Sequence, residues 1–175
     1  MLRIITVVFT VYLTIASSAS GQGPQLEFQS VTSAAGKFTA VMPGKPKEHT
    51  EEINSPIGKL ELHKLWVEVS KDLVFIIVYC DYPAEAVRNE PQTVLKGARD
   101  GLLVGKRKLI EDKELTLGKD KIAGRALVIE VGTLHYRARH FLAGRRLYQV
   151  VIVGSKDAVT SPNANKYFDS FEITK

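Results

Sequence analysis

Two stretches of the chain are apolar at consecutive positions rather than at alternate ones. Residues 73–82 contain an uninterrupted apolar run from Val74 to Val78, and within residues 147–153 only Gln149 is polar. A strand with one face in water alternates apolar and polar residues, whereas a strand covered on both faces does not. The pattern therefore predicts two central strands that need cover on both sides of a sheet.

Two other segments place apolar residues at the three- and four-residue spacing of a helix. The first runs from about Pro91 to Val104, and the second runs from Pro162 to Ser170 behind a capping residue at Ser161. The apolar stripes are Val94, Leu95, Ala98 and Leu102 in the first segment, and Ala164, Tyr167, Phe168 and Phe171 around the second. Each stripe predicts a helix that packs on the sheet.

From Lys106 onward, short strand-like segments are separated by turn signals at Gly118, Gly132 and Ala143-Gly144. These connections are too short for crossover helices, so the strands are expected to pair antiparallel. We predict an α+β fold of the α/β/α type, with an antiparallel sheet of six or seven strands sandwiched by helices. Two helices are thin cover for such a sheet. Part of one face is therefore expected to be closed by the N-terminal segment, by a charged loop over residues 45–58, or by a partner.

The first residues resemble an export signal. A basic start at Arg3 is followed by an apolar run over residues 4–15 and by small residues at Ser17 and Ala19. The alternative is an uncleaved membrane anchor, but a bilayer core needs about 20 apolar residues. We therefore predict a signal peptide over residues 1–19 cleaved near Ala19, a tether over residues 20–36, and one domain over residues 37–175. No transmembrane span is expected after cleavage.

Cys80 is the only cysteine, and it lies inside an apolar run. With one cysteine no internal disulfide is possible, and because Cys80 is far from the signal there is no acceptor for a lipid anchor behind it. A thiol in such an apolar run is typical of a small core residue. The mature protein is expected to be soluble and exported, either periplasmic or secreted.

Candidate chemistry is sparse. His135 and His140 are five residues apart on one predicted strand, so they face opposite sides and cannot share a metal. Glu61 and His63 share a face, but two side chains make a weak metal signal. Asp81, at the end of a buried strand, is interpreted as a strand-end cap, with a catalytic role as the alternative. No catalytic residue, metal or cofactor is predicted.

One cationic grouping is the candidate site. The chain has a net charge of +5. Arg137 and Arg139 share a strand face, and a turn at Ala143-Gly144 places them on the same face as Arg146 and Tyr148. These four residues are the candidate surface for an anionic partner. The alternative is that the arginine stems cover apolar surface while their heads reach solvent or Glu130. Nucleic acid is not expected, because stacking aromatics do not interleave with the basic residues.

The order of these signals resembles the PsbP-like class of small exported bacterial proteins. The resemblance is carried by "GKFTAVMPGKP" near the start, the apolar strand pair, the helix, the meander, "RRLYQVVIVG" and the closing "NKYFDSFEI", and it covers most of residues 36–173. The class shares an α/β/α sandwich with photosystem extrinsic subunits and with a Ran-binding nuclear transport factor. The resemblance implies a docking or stabilising module without active-site chemistry.

Three functions are therefore weighed. The first is an exported, non-catalytic domain that binds a protein or an envelope component whose identity the sequence does not give. The second is a carrier of a small molecule or lipid, with a cavity at the thinly covered sheet face. The third is a hydrolase of unknown substrate that uses Asp81 or a histidine.

Overall fold

The computed structural model describes residues 26–55 and 57–174. In chain order the strands and helices are β1 (Gln29–Ser33), β2 (Phe38–Met42), β3 (Lys47–Ser55), β4 (Gly58–Ser70), β5 (Leu73–Asp81), α1 (Pro91–Leu102), β6 (Arg107–Leu117), β7 (Ile122–Val131), β8 (Leu134–Ala143), β9 (Arg146–Gly154), α2 (Lys156–Thr160), α3 (Pro162–Asp169) and β10 (Glu172–Ile173), with a 3-10 turn over Ala84–Val87. A seven-stranded antiparallel sheet has the order β3-β4-β5-β9-β8-β7-β6, and a small sheet has the order β1-β2-β10. The predicted α+β class and the antiparallel sheet are confirmed.

The two consecutively apolar strands, β5 and β9, lie side by side near the middle of the large sheet. Ile77 pairs with Val150 and Ile76 pairs with Val151, so neighbouring residues point to opposite faces. All four side chains are buried. Both strands are covered on both faces, which is why neither needs polar positions.

The first face of the sheet is covered by α1. Its stripe of Val94, Leu95, Ala98 and Leu102 is buried in one core cluster with residues of β7 and β8. The helix ends at Leu102, two residues before the predicted end. Val104 lies beyond the helix and is 51% exposed.

The second face is covered by α2, α3 and the small sheet. The Ser161 hydroxyl accepts a hydrogen bond from the Ala164 amide at 3.2 Å, which is the predicted N-cap of α3. Behind it Tyr167, Phe168 and Phe171 are at most 1% exposed. Tyr167 also donates its hydroxyl proton to the Ile76 carbonyl oxygen at 2.7 Å, which ties the helix to β5.

A polar row crosses the sheet beneath α1. Arg125, His140 and Gln149 are neighbours on β7, β8 and β9, and all three side chains are buried. Arg125 forms an ion pair with Asp112 on β6 at 2.5 Å and donates to the Gln92 side-chain oxygen on α1 at 3.0 Å. Although burial acts to raise it, the pKa of Asp112 is lowered by its contacts with Arg125 and Arg99. Through Gln92 and Arg99, these contacts fix α1 over β6 and β7.

His140 is fully buried in this row. Neither ring nitrogen has a hydrogen-bond partner among the described residues. Burial lowers the pKa of the imidazole to about 4 from its usual 6.5, while the Asp112 carboxylate acts in the opposite direction. The folded protein therefore holds this ring neutral.

The charged loop predicted over residues 45–58 is wrong for most of its length, because Lys47–Ser55 forms β3 and Gly58 begins β4. β3 is an edge strand whose side chains are mostly exposed on both faces. Only Ile53 of this strand packs against a core cluster, so the sequence shows no apolar alternation. Charged residues at an edge also oppose pairing with another chain. The polar composition reflects the edge position and not the absence of a strand.

The predicted tether over residues 20–36 is wrong in its second half, where Gln29–Ser33 forms β1 and pairs with β2. The apolar residues Phe28 and Val31 within this segment pack against the second core cluster. Phe28 lies edge-on to Phe75, with ring centroids 6.2 Å apart. The signal predicted over residues 1–19 lies outside the described residues.

The packing of α3 predicts a large effect for Phe168→Ala. Removing this buried ring leaves a cavity between α3 and the sheet, and we expect a loss of about 3 to 5 kcal/mol in the free energy of unfolding by denaturant titration. The matched control is Asn163→Ala, an exposed position on the same helix, which should change stability by less than about 0.5 kcal/mol. A loss below about 1 kcal/mol for Phe168→Ala would contradict the packing.

The lowered pKa of the buried His140 imidazole predicts that the stability of the fold depends on pH. Between pH 6.5 and pH 4 the unfolded chain takes up a proton on this imidazole and the folded chain does not, so stability falls as the pH falls. The contribution lost by pH 4 is about 3 kcal/mol. His140→Leu should therefore lose about that much less stability than the parent between pH 7 and pH 4. Parallel stability curves for the two proteins would contradict the assignment. His49→Leu, at an exposed position on β3, is the control.

Candidate functional site

The predicted cationic residues lie on the second face, where α3 covers the sheet. The Arg137 guanidinium stands 4.9 Å from the Phe168 ring centre and donates to the Val159 carbonyl oxygen at 2.8 Å. Arg139 stands over the same ring at 5.3 Å and forms an ion pair with Asp169 at 2.8 Å. Burial lowers the pKa of Arg137, with the charge of Arg139 adding to the shift. Both arginines join β8 to the helices above it.

Arg146 and Tyr148 form a second group at the start of β9. Arg146 makes a two-point ion pair with Asp81, with both nitrogen-to-oxygen distances at 2.7 Å, and it also donates to the Ala35 carbonyl oxygen at 2.8 Å. Tyr148 is buried, and its hydroxyl donates to the Gly36 carbonyl oxygen at 2.7 Å. This group fastens the segment between β1 and β2 to the large sheet.

The two groups are farther apart than the sequence predicts, because the β8–β9 turn is one residue later. Ala143 pairs with Arg146, so the turn residues are Gly144 and Arg145, and Gly144 has the positive φ of 60° that such a turn requires. Arg139 consequently faces Val150 instead of Tyr148. Arg139 lies four positions along β8 from Ala143, the residue that pairs with Arg146, and this spacing is about 13 Å along the strand.

The shared face of the four candidate residues is as predicted, but their acidic partners are Asp169 and Asp81 and not Glu130. Each arginine already has an intramolecular acceptor, and Tyr148 presents almost no surface. An anionic ligand here would have to compete with these acceptors. Binding of an anionic partner at this surface stays a prediction.

Asp81, named in the hydrolase hypothesis, is held in the ion pair with Arg146. The hydrogen bonds from Arg146 lower the pKa of the Asp81 carboxyl, against a smaller opposing effect of burial. A carboxylate with a lowered pKa is a weaker base, so the geometry does not favour acid-base catalysis by this residue. Asp81 lies at the end of β5, as predicted, but its partner is the Arg146 guanidinium and not the backbone or a tyrosine that a strand-end cap was expected to contact.

His63 lies on the exposed β3–β4 ribbon. Its ring nitrogens contact the Thr50 hydroxyl at 3.0 Å and the Glu61 carboxylate at 2.8 Å, and the ring stacks on Tyr79 with centroids 4.5 Å apart. These contacts fix the ribbon against β5. Among the described residues no group of three or more His, Cys, Asp or Glu side chains converges as a metal site requires.

The carrier hypothesis predicted a cavity at a thinly covered sheet face without giving its location, and the structure has a cavity on the first face, at the C-terminal end of α1. We call it the α1-end cavity. Its volume is about 140 Å³, and its walls are mainly apolar side chains from α1 and the sheet, among them Ile76, Leu102, Ile129, Val151 and Val153. The cavity exists because α1 ends at Leu102, so the helix leaves this end of the central strands without a covering helix.

Arg107 and Tyr136 supply the polar groups of the α1-end cavity. Arg107 donates to the Leu102 carbonyl oxygen at 2.9 Å, which holds its guanidinium at the end of the helix. Burial raises the pKa of the Tyr136 hydroxyl, and the nearby charge of Arg107 opposes that shift. The cavity thus combines apolar walls with one fixed positive charge.

Three exposed apolar residues lie on or just before β6 and β7, whose residues Arg107 and Val131 line the cavity. Val104, Ile110 and Val131 are 51%, 49% and 37% exposed, and they are the large apolar side chains that the structure exposes within the described residues. Val131 lines the cavity and pairs with Arg107 across β6 and β7. We call these three residues the apolar corner. Its only sequence signals were the end of the α1 stripe and the basic triplet at residues 106–108, and neither shows which strands the helix leaves uncovered.

Within the described residues, no helix is both long enough and apolar enough to cross a lipid bilayer.

Comparisons with known proteins identify the fold. No family model matches the chain, and no curated protein matches it. Among solved structures, it is similar to the solution structure of cyanobacterial PsbP (CyanoP) from Synechocystis sp. PCC 6803, with a TM-score of 0.56 and 14% sequence identity. The match covers 89% of this chain and 98% of that chain. The resemblance inferred from the order of strand, helix and turn signals is confirmed at the level of the fold, and the chain has a PsbP-like fold.

Proposed function

We propose that this chain is an exported, non-catalytic domain that binds a partner protein through the apolar corner. The observation that carries the proposal is that the exposed Val131 lines the α1-end cavity, while the exposed Val104 follows the end of α1 and the exposed Ile110 lies three residues along β6 from Arg107. Single exposed apolar residues are common, but a group beside an apolar cavity is typical of an interaction surface.

The charges at this corner support the same function. Lys106 and Lys108 flank Arg107 at the start of β6, so the apolar surface is bordered by cations. Apolar centres with polar rims are the usual anatomy of a protein interface. The PsbP-like fold is consistent with a binding role without catalysis, but fold alone does not establish a function.

Site-specific photocrosslinking in the native envelope tests this proposal. A photoreactive residue at position 104 should give one discrete protein adduct, whereas the same residue at position 157, exposed on α2 in the opposite layer, should not. Excess parent protein should compete for the adduct, and the double variant Val104→Ser/Val131→Ser should compete at least about tenfold less well. Equal adducts at both positions, or none at position 104, would count against the proposal.

The α1-end cavity favours a second candidate, the carrier of a small apolar molecule. A carrier purified from its source should retain a non-covalent ligand that native mass spectrometry detects as added mass. Val153→Phe places a ring on the cavity wall and should abolish the retention. If the parent and the variant both have the mass of the bare chain, the carrier function is contradicted.

A further inference from the structure

The α1-end cavity and the apolar corner together specify what a partner must present. We propose that the cavity receives one ring-sized side chain, such as Phe, from an acidic segment of the partner, and that a carboxylate beside that side chain pairs with Arg107. This inference rests on the proposed docking function and names the chemistry of the partner.

The size of the cavity determines which side chain of the partner can fill it, and we call that side chain the anchor. An apolar cavity of about 150 Å³ in another protein stays dry and binds benzene, and the α1-end cavity has a similar volume of about 140 Å³. A single aromatic ring or a branched aliphatic side chain fits this space, whereas an indole ring system is too large for it. Most of the wall, including Ile129 and Val151, offers no polar partner, and the polar groups of the lining belong to Arg107 and Tyr136 alone. The part of the anchor that contacts the apolar wall must therefore be apolar, because a polar group there would lose its hydrogen bonds to water.

The charge at the cavity selects what lies beside the anchor. One nitrogen of Arg107 is committed to the Leu102 carbonyl oxygen, and this contact orients a guanidinium that has further N–H donors. Within the described residues, no carboxylate lies within ion-pair distance of Arg107. A partner carboxylate would supply that charge complement, and Lys106 and Lys108 would favour further acidic residues.

The surface outside the cavity selects a peptide segment over a free acid. Val104 is 51% exposed after the end of α1 and does not line the cavity, so a ring-sized acid inside the cavity would leave it in water. A segment that continues past its anchor could bury this valine as well. Anchors of this kind, seated in a pocket and surrounded by weaker contacts, dominate the binding energy of protein interfaces.

Fluorescence anisotropy with the full chain tests the inference. The probe is a short labelled peptide of Asp, Glu and Ser with one central Phe, and the comparison peptides replace Phe by Ala or the acids by Lys. The Ala peptide should bind about tenfold more weakly or worse, and the Lys peptide should not bind. Arg107→Gln should weaken binding by about tenfold and reduce its salt dependence, and Val153→Phe should abolish binding by filling the cavity. Lys119→Gln, at the far end of β6, is the charge-matched control and should leave binding unchanged.

Equal binding of the Phe and Ala peptides, or equal binding by the parent and Arg107→Gln, would overturn the inference. Phenylacetate is the free-acid probe: if it binds as tightly as the peptide and displaces it, the occupant is a small acid and the peptide assignment is wrong. If the peptides behave as expected but crosslinking at position 104 captures no envelope protein, the anchor chemistry is supported and the docking function fails. The two failures are therefore distinguishable.

Discussion

The rest of the structure depends on the burial of β5 and β9 on both faces. Residues such as Ile76 and Ile77 point in opposite directions from one strand, so a single covering layer would leave half of them in water. Each buried side chain of this kind contributes about 1.5 to 3 kcal/mol through removal from water. The chain must therefore build two separate cores on the two sides of one sheet, and every other element serves one of them.

The two cores are closed to different extents. On the second face α2, α3 and a three-stranded sheet share the cover, and aromatic residues such as Phe38, Tyr167 and Phe171 fill the space between layers. On the first face the cover is α1 and the chain that leads to it, including a 3-10 turn. The α1-end cavity lies where that cover stops. The location of the candidate interface thus follows from an unequal distribution of helices over a sheet that needs both faces covered.

The elements that the sequence predicts well are those whose burial is set by their own residues. β5, β9, α1 and α3 carry their pattern locally, and Ser161 marks the start of α3 as a cap. β3 and β1 were not predicted, because an exposed edge strand and a short strand on a small sheet need no continuous apolar pattern. The α1-end cavity is harder still to predict, since it depends on where α1 stops relative to strands that are distant in sequence.

The cationic face shows how a small error in register changes a functional interpretation. Parity along β8 and β9 correctly places Arg137, Arg139 and Arg146 on one side, but the turn at Gly144-Arg145 shifts the pairing by two residues and separates them. Each of these guanidiniums then contacts an acceptor of its own chain, and these contacts hold the large sheet to the segments that pack on it. Arg107 also donates to a carbonyl oxygen of its own chain, but no ion pair joins it to a carboxylate of the described residues, and it lines a cavity where α1 has ended. The sequence supplies many cations, and the cover of the sheet decides which of them lies beside a cavity.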